Sequence, residues 1–119
     1  IPVTVDRDKL LEKLAQRGAP YDLKYVHFDY VAPLYVPKDS KLIQTLMDVY
    51  KEQTGDTTAT PQISGGATFA RTMNNCVAFG GMLPTTPDCM HQANEQWPLK
   101  DMFKAMEIYA QAIKRLCVD

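Results

Sequence analysis

His91, Asn94 and Glu95 fall within five residues, in His91-Gln92-Ala93-Asn94-Glu95. An imidazole with a carboxylate and an amide beside it is material for a metal ligand and the groups that hold it in place. The preceding run, Leu83-Pro84-Thr85-Thr86-Pro87-Asp88, is rich in turn formers and predicts a loop projecting from a strand end, where functional groups collect. Upstream, Gly65-Gly66 follows the short apolar run Pro61-Gln62-Ile63. Two adjacent glycines let backbone N–H groups come close to an anion or a developing oxyanion. They serve equally as a turn between strands. Arg71 adds a guanidinium that can hold a carboxylate in a bidentate fork or make a structural ion pair.

On residue type alone, a lone loop histidine is more often solvated than metal-bound, and Glu95 is as well read as a surface carboxylate near a helix start. Cys89, two residues before His91, raises a thiol nucleophile or a Cys/His zinc site. Structural zinc draws on closely spaced Cys/His pairs, which Cys76 and Cys117 do not supply, and immediate sequence neighbours rarely take nucleophile–base geometry. His27, between Tyr25 and Asp29 in alternation, reads as an exposed or hydrogen-bonded structural histidine, and the methionines read as core filling.

These groups need elements to carry them. Asp6 is placed to cap a helix bearing Leu10, Leu11, Leu14 and Ala15, closed by Gly18. Val3 to Val5 and Asp22 to Val31 read as strands on either side of it, half of a split βαβ unit. Ala32 to Asp39, with two prolines, reads as a linker or edge strand and puts a boundary near Pro33. Ser40 caps a second helix running to Thr54, with Ile43, Leu46, Met47 and Tyr50 on its apolar face and Gly55 as its stop. Pro61 to Ile63 and Cys76 to Gly80 read as short strands. The last helix starts near Pro98 and carries Leu99, Met102, Met106, Tyr109, Ile113 and Leu116 along one stripe, with Lys114 and Arg115 favourable at its end.

Composition sets outer bounds. The 119 residues are 45% hydrophobic and 23% charged, with a formal net charge of −1, ordinary values for a globular domain that give no footprint for nucleic acid or an anionic membrane. No apolar run is long enough to span a bilayer, and the start lacks the layout of a signal peptide, so a cytoplasmic protein is expected. Three cysteines in no framework spacing predict reduced thiols. The chain opens directly in strand-like Ile1-Pro2-Val3-Thr4-Val5 and reads as a piece of something longer.

Three blocks in order resemble the C-terminal end of the catalytic domain of the di-zinc dipeptidases of the carnosinase and PepV type, relatives of aminoacylases, acetylornithine deacetylases and glutamate carboxypeptidases. Ser64-Gly65-Gly66-Ala67-Thr68-Phe69-Ala70-Arg71 matches Gly-Gly-Gly-Thr-(Phe/Tyr)-(Ala/Gly)-Arg, with Ser64 set against the first glycine and Ala67 against the threonine. Val77-Ala78-Phe79-Gly80 matches Val-Ala-(Phe/Tyr)-Gly, and His91-Gln92-Ala93-Asn94-Glu95 matches His-Gln-x-Asn-Glu. The resemblance implies an α/β fold made of the end of a ferredoxin-like lid domain, residues 1–32, and the C-terminal part of the catalytic domain, residues 33–119. It implies that His91 ligates the second of two zinc ions, with Asn94 and Glu95 behind it, and that Gly65, Gly66, Ala67 and Arg71 line the substrate pocket. The general base and the remaining ligands would lie upstream, so the chain alone would be inactive on the small peptides the whole enzyme cleaves. Its partners would be the rest of the catalytic domain, or a second copy of itself. The rival expectation is a free-standing α/β binding or interaction module without catalysis.

Overall fold

The computed structural model describes residues 1–26, 30–66 and 68–118. Three α-helices organise them: α1 (Arg7–Gly18), α2 (Lys41–Thr54) and α3 (Leu99–Cys117). Each starts for a local reason. The Asp6 carboxylate accepts the N–H groups of Asp8 and Lys9 at 3.0 and 3.1 Å, filling two of the orphan donors at the start of α1. Ser40 Oγ accepts from the N–H of Ile43 at 3.3 Å to begin α2. For α3, the Pro98 carbonyl accepts from Asp101 and Met102 at 2.9 and 3.0 Å, and Asp101 puts a negative charge in the first turn, favourable to the dipole.

The helices end differently. Gly55 stops α2 in the left-handed region at φ 76°, its N–H returning to Lys51 at 2.8 Å, which only glycine adopts without cost. Gly18 does not stop α1 outright. The chain tightens into a 3₁₀ turn over Ala19–Tyr21 and leaves through Asp22 at φ 54°.

The core lies between α2 and α3. Leu46, Val49, Ile108 and Ala112 form it, with Leu42, Val77, Phe79 and Leu83 packed around them. Val49, absent from the expected face of α2, is its most enclosed side chain at 0% exposure. The α3 stripe also differs from expectation. Its buried positions are Asp101, Ala105, Ile108 and Ala112, whereas Leu99, Met106, Ile113 and Leu116 are exposed. Small alanines let the two helices approach closely; of the expected stripe, Met102 and Tyr109 are half-buried, and the other four positions stand open to solvent. Arg115 grips Glu52 with both terminal guanidinium nitrogens, Nη1 to Oε1 at 3.1 Å and Nη2 to Oε2. Lys104 Nζ reaches Gln53 Oε1 at 3.2 Å nearer the other end of α3.

Among the described residues no strand forms. Val3 to Val5 instead closes a turn, Val5 N–H to Pro2 C=O at 3.0 Å. Residues 61–63 and 76–80 run irregularly, with Ile63 fully exposed at 100%. Residues 27–29 of the expected second strand, His27 among them, lie outside the described residues. Apolar, β-branched composition makes a segment fit a sheet, but a strand exists only through a paired neighbour. The radius of gyration is 19.0 Å, well above the roughly 13.5 Å of a compact domain of this length.

Candidate functional site

The loop carrying His91 is built from its root outward. Thr86 folds back on Leu83, its N–H meeting the Leu83 carbonyl at 2.9 Å and its Oγ1 accepting the Leu83 N–H at 3.0 Å. The same hydroxyl donates to Asp101 Oδ2 at 2.8 Å. Asp101 is 3% exposed, and a buried carboxylate needs such a partner. This contact ties the loop's root to the first turn of α3. Nearby, the Trp97 ring and the Tyr109 hydroxyl close over Gly81, where an added Cβ would meet Trp97 Cζ2 at 2.8 Å and Tyr109 Oη at 3.1 Å. Tyr109 also donates to the Phe79 carbonyl at 3.3 Å and meets the Phe79 ring edge-on, centroids 6.0 Å apart.

Beyond this root lie two consecutive turns, Gln92 N–H to Cys89 C=O and Glu95 N–H to Gln92 C=O, each at 3.2 Å. His91 and Asn94 occupy the third position of each, at φ 60° and 61°. A type II turn demands a left-handed residue there, which asparagine and histidine tolerate better than most. The Glu95 carboxylate accepts the His91 backbone N–H at 3.3 Å, so it orders the turn that presents the imidazole. Across the loop's neck, Cys89 Sγ donates to the Gln96 carbonyl at 3.3 Å and accepts the Gln96 N–H at 3.4 Å. The imidazole itself is on an exposed residue.

The expected pocket residues are placed elsewhere. Gly65 and Gly66 sit on an open loop without positive φ, and one of their two N–H groups, that of Gly66, is taken by Ser64 Oγ at 3.1 Å. Ala67 lies outside the described residues. Counting back from Arg71, the motif reads Gly65-Gly66-Ala67-Thr68-Phe69-Ala70-Arg71. The threonine position is therefore filled by Thr68, and the one departure is Ala67 for the third glycine, which corrects the register set with Ser64 and Ala67. Thr68 Oγ1 accepts the Ala70 N–H at 3.2 Å, capping the 3₁₀ turn Phe69–Thr72. That hydroxyl thus has a structural role. Arg71 joins Ile1, Arg7, Leu11, Tyr25, Tyr30 and Val31 around a cavity of about 290 Å³ and donates to the Ala32 carbonyl at 3.4 Å. It takes part in none of the ion pairs among the described residues.

Among the described residues no three His, Cys, Asp or Glu side chains come together in a group that could hold a metal ion. The described residues therefore do not make up a metal centre by themselves. Cys76, Cys89 and Cys117 are free thiols, and none joins His91 in a ligand group.

The sequence matches the profile of peptidase family M20/M25/M40 over residues 4–115, and the chain belongs to that family. A protein of Staphylococcus saprophyticus named "Putative dipeptidase" is 44% identical over 87 residues, covering 73% of this chain and 18% of that protein. A Staphylococcus aureus (strain USA300) protein of the same name is 36% identical over 118 residues, 99% of this chain and 25% of that protein. The chain thus spans a quarter or less of the length of these relatives. No solved structure matches it. Among the described residues no helix is long and apolar enough to cross a membrane.

Proposed function

We propose that this chain is the C-terminal portion of a zinc-dependent dipeptidase of the carnosinase and PepV type, acting in the cytoplasm. In it His91 ligates one of two zinc ions, and Arg71 with the Gly65–Gly66 loop faces the substrate. The observation that carries this reading is the family match over residues 4–115 together with the ordered double turn that presents His91 and fastens it through Glu95. The relatives' printed names support a dipeptide as substrate.

The rest of the metal centre, and the group that moves the proton, lie outside this chain. So do the partners that turn residues 61–63 and 76–80 into strands of an α/β catalytic domain. Residues 1–32 form the end of the lid and residues 33–119 the end of the catalytic domain. The missing strands would cover the bulky stripe of α3 and let the Gly65–Gly66 loop approach His91.

The chain alone is accordingly inactive, since a two-metal site needs several carboxylate and imidazole ligands. A comparison of amino acid release from a model dipeptide tests this: the full-length protein should turn over and the purified 119-residue chain should not. Zinc-dependent release by the chain alone, free of contaminating peptidase, would overturn the proposal.

A further inference from the structure

We infer that Cys89 is a positioning residue for His91, its thiol clasping the neck of the loop that presents the imidazole. The thiol meets both polar groups of one residue, donating to the Gln96 carbonyl at 3.3 Å and accepting the Gln96 N–H at 3.4 Å. One side chain thereby plays both parts that a facing backbone residue plays in an antiparallel bridge. Between the two ends of this clasp lie the turns Cys89–Gln92 and Gln92–Glu95, with His91 and Asn94 left-handed. A left-handed residue other than glycine persists only where its surroundings over-determine it. Here the surroundings are few. The loop is largely exposed, and besides the turn bonds its constraints are the Glu95 bond to the His91 N–H, the Gln92 side chain on the Asp88 carbonyl at 3.4 Å and the thiol clasp.

The clasp gives the cysteine two residues from His91 a role that needs neither nucleophilic attack nor metal ligation. Its sulfur is spent on Gln96, and its effect on His91 passes through the backbone. Serine keeps both the donor and the acceptor, at the cost of drawing the neck in by roughly 0.8 Å, because its C–O bond is shorter than C–S and oxygen bonds at shorter range than sulfur. Alanine keeps neither.

That this matters for a metal rests on the function proposed above; that Cys89 orders the loop does not. The test uses the longest polypeptide the gene encodes, purified with its metal, as wild type, Cys89→Ala, Cys89→Ser and His91→Ala. Hydrogen–deuterium exchange of a peptide spanning residues 89–97 is read by mass spectrometry, and metal release to a chelator is followed in parallel. In Cys89→Ala the 89–97 peptide should exchange about five- to tenfold faster while peptides from α2 and α3 stay as in wild type. Metal should also leave severalfold faster, and serine should restore most of both. Unchanged exchange in Cys89→Ala overturns the clasp, as does faster exchange spread over the whole protein, or a serine variant no better than alanine. Failure of the metal reading shows separately: His91→Ala would then keep its metal, whatever Cys89→Ala does to exchange.

Discussion

The left-handed backbone at His91 and Asn94 is where residue chemistry and loop geometry meet. The sequence shows a histidine, an asparagine and a glutamate within one loop, because residue types and turn formers are legible one position at a time. It does not show that two turns stack, or that Glu95 bonds to the His91 backbone. Those depend on which residue takes φ > 0, which several sequences satisfy. The Thr86–Asp101 contact was likewise hidden, since its partners are fifteen positions apart. It carries a prediction. Thr86→Val keeps the shape but leaves the buried Asp101 carboxylate and the Leu83 N–H without their partner, and should cost about 1–3 kcal/mol in urea denaturation. Thr86→Ser should cost less than half of that. Equal losses for both would mean that the methyl group matters and the hydrogen bond does not.

At the scale of elements, helix starts were legible and faces only in part: Ile43 and Leu46 of the expected α2 face are buried, with Val49 in place of Met47 and Tyr50. Asp6, Ser40, Gly55 and Pro98 act within a turn of themselves, so their types decide the boundaries of α1, α2 and α3. Which side of α3 is buried depends on α2, and there Ala105 and Ala112 were chosen over bulkier neighbours. The two helices are also joined by Arg115 and Glu52. The hydrogen bond from Arg115, reinforced by its charge, holds the Glu52 carboxyl below its ordinary value. A carboxylate with a lowered folded value stabilises the fold above its unfolded value of about 4.3, and that contribution is lost as pH falls through the lowered one. Melting followed by circular dichroism should show a drop in helix stability below about pH 4 that Glu52→Gln lessens. The effect should be small and weakened by salt, because both side chains are partly exposed. A profile identical in the wild type and the variant would remove this pair from the account. Gly81→Ala is the steric counterpart. A Cβ there presses on Trp97 and Tyr109, so it should cost about 1–3 kcal/mol and change Trp97 fluorescence; an unchanged spectrum and midpoint would contradict that packing.

Among the described residues one helix pair forms the core, and much apolar surface lies outside it. Ile63, Phe69, Met106 and Ile113 are all more than half exposed. Exposed apolar surface on this scale marks a contact region, and in the proposed function the rest of the catalytic domain covers it. Residue pattern reports how much apolar surface a segment carries. It does not report who covers it, which is why short strands were expected where none is paired. The isolated chain should bind an apolar dye and sediment as concentration-dependent species. A compact monomer over a wide concentration range, dark to the dye, would count against this. The central claim is that His91 is a metal ligand, and metal content per chain in the full-length protein, measured with dipeptide turnover, tests it most directly. His91→Ala should lose or weakly hold one of two metals and its turnover should collapse, whereas His27→Ala, at the chain's other histidine, should change both little. Two retained metals with near-normal turnover in His91→Ala would contradict the account.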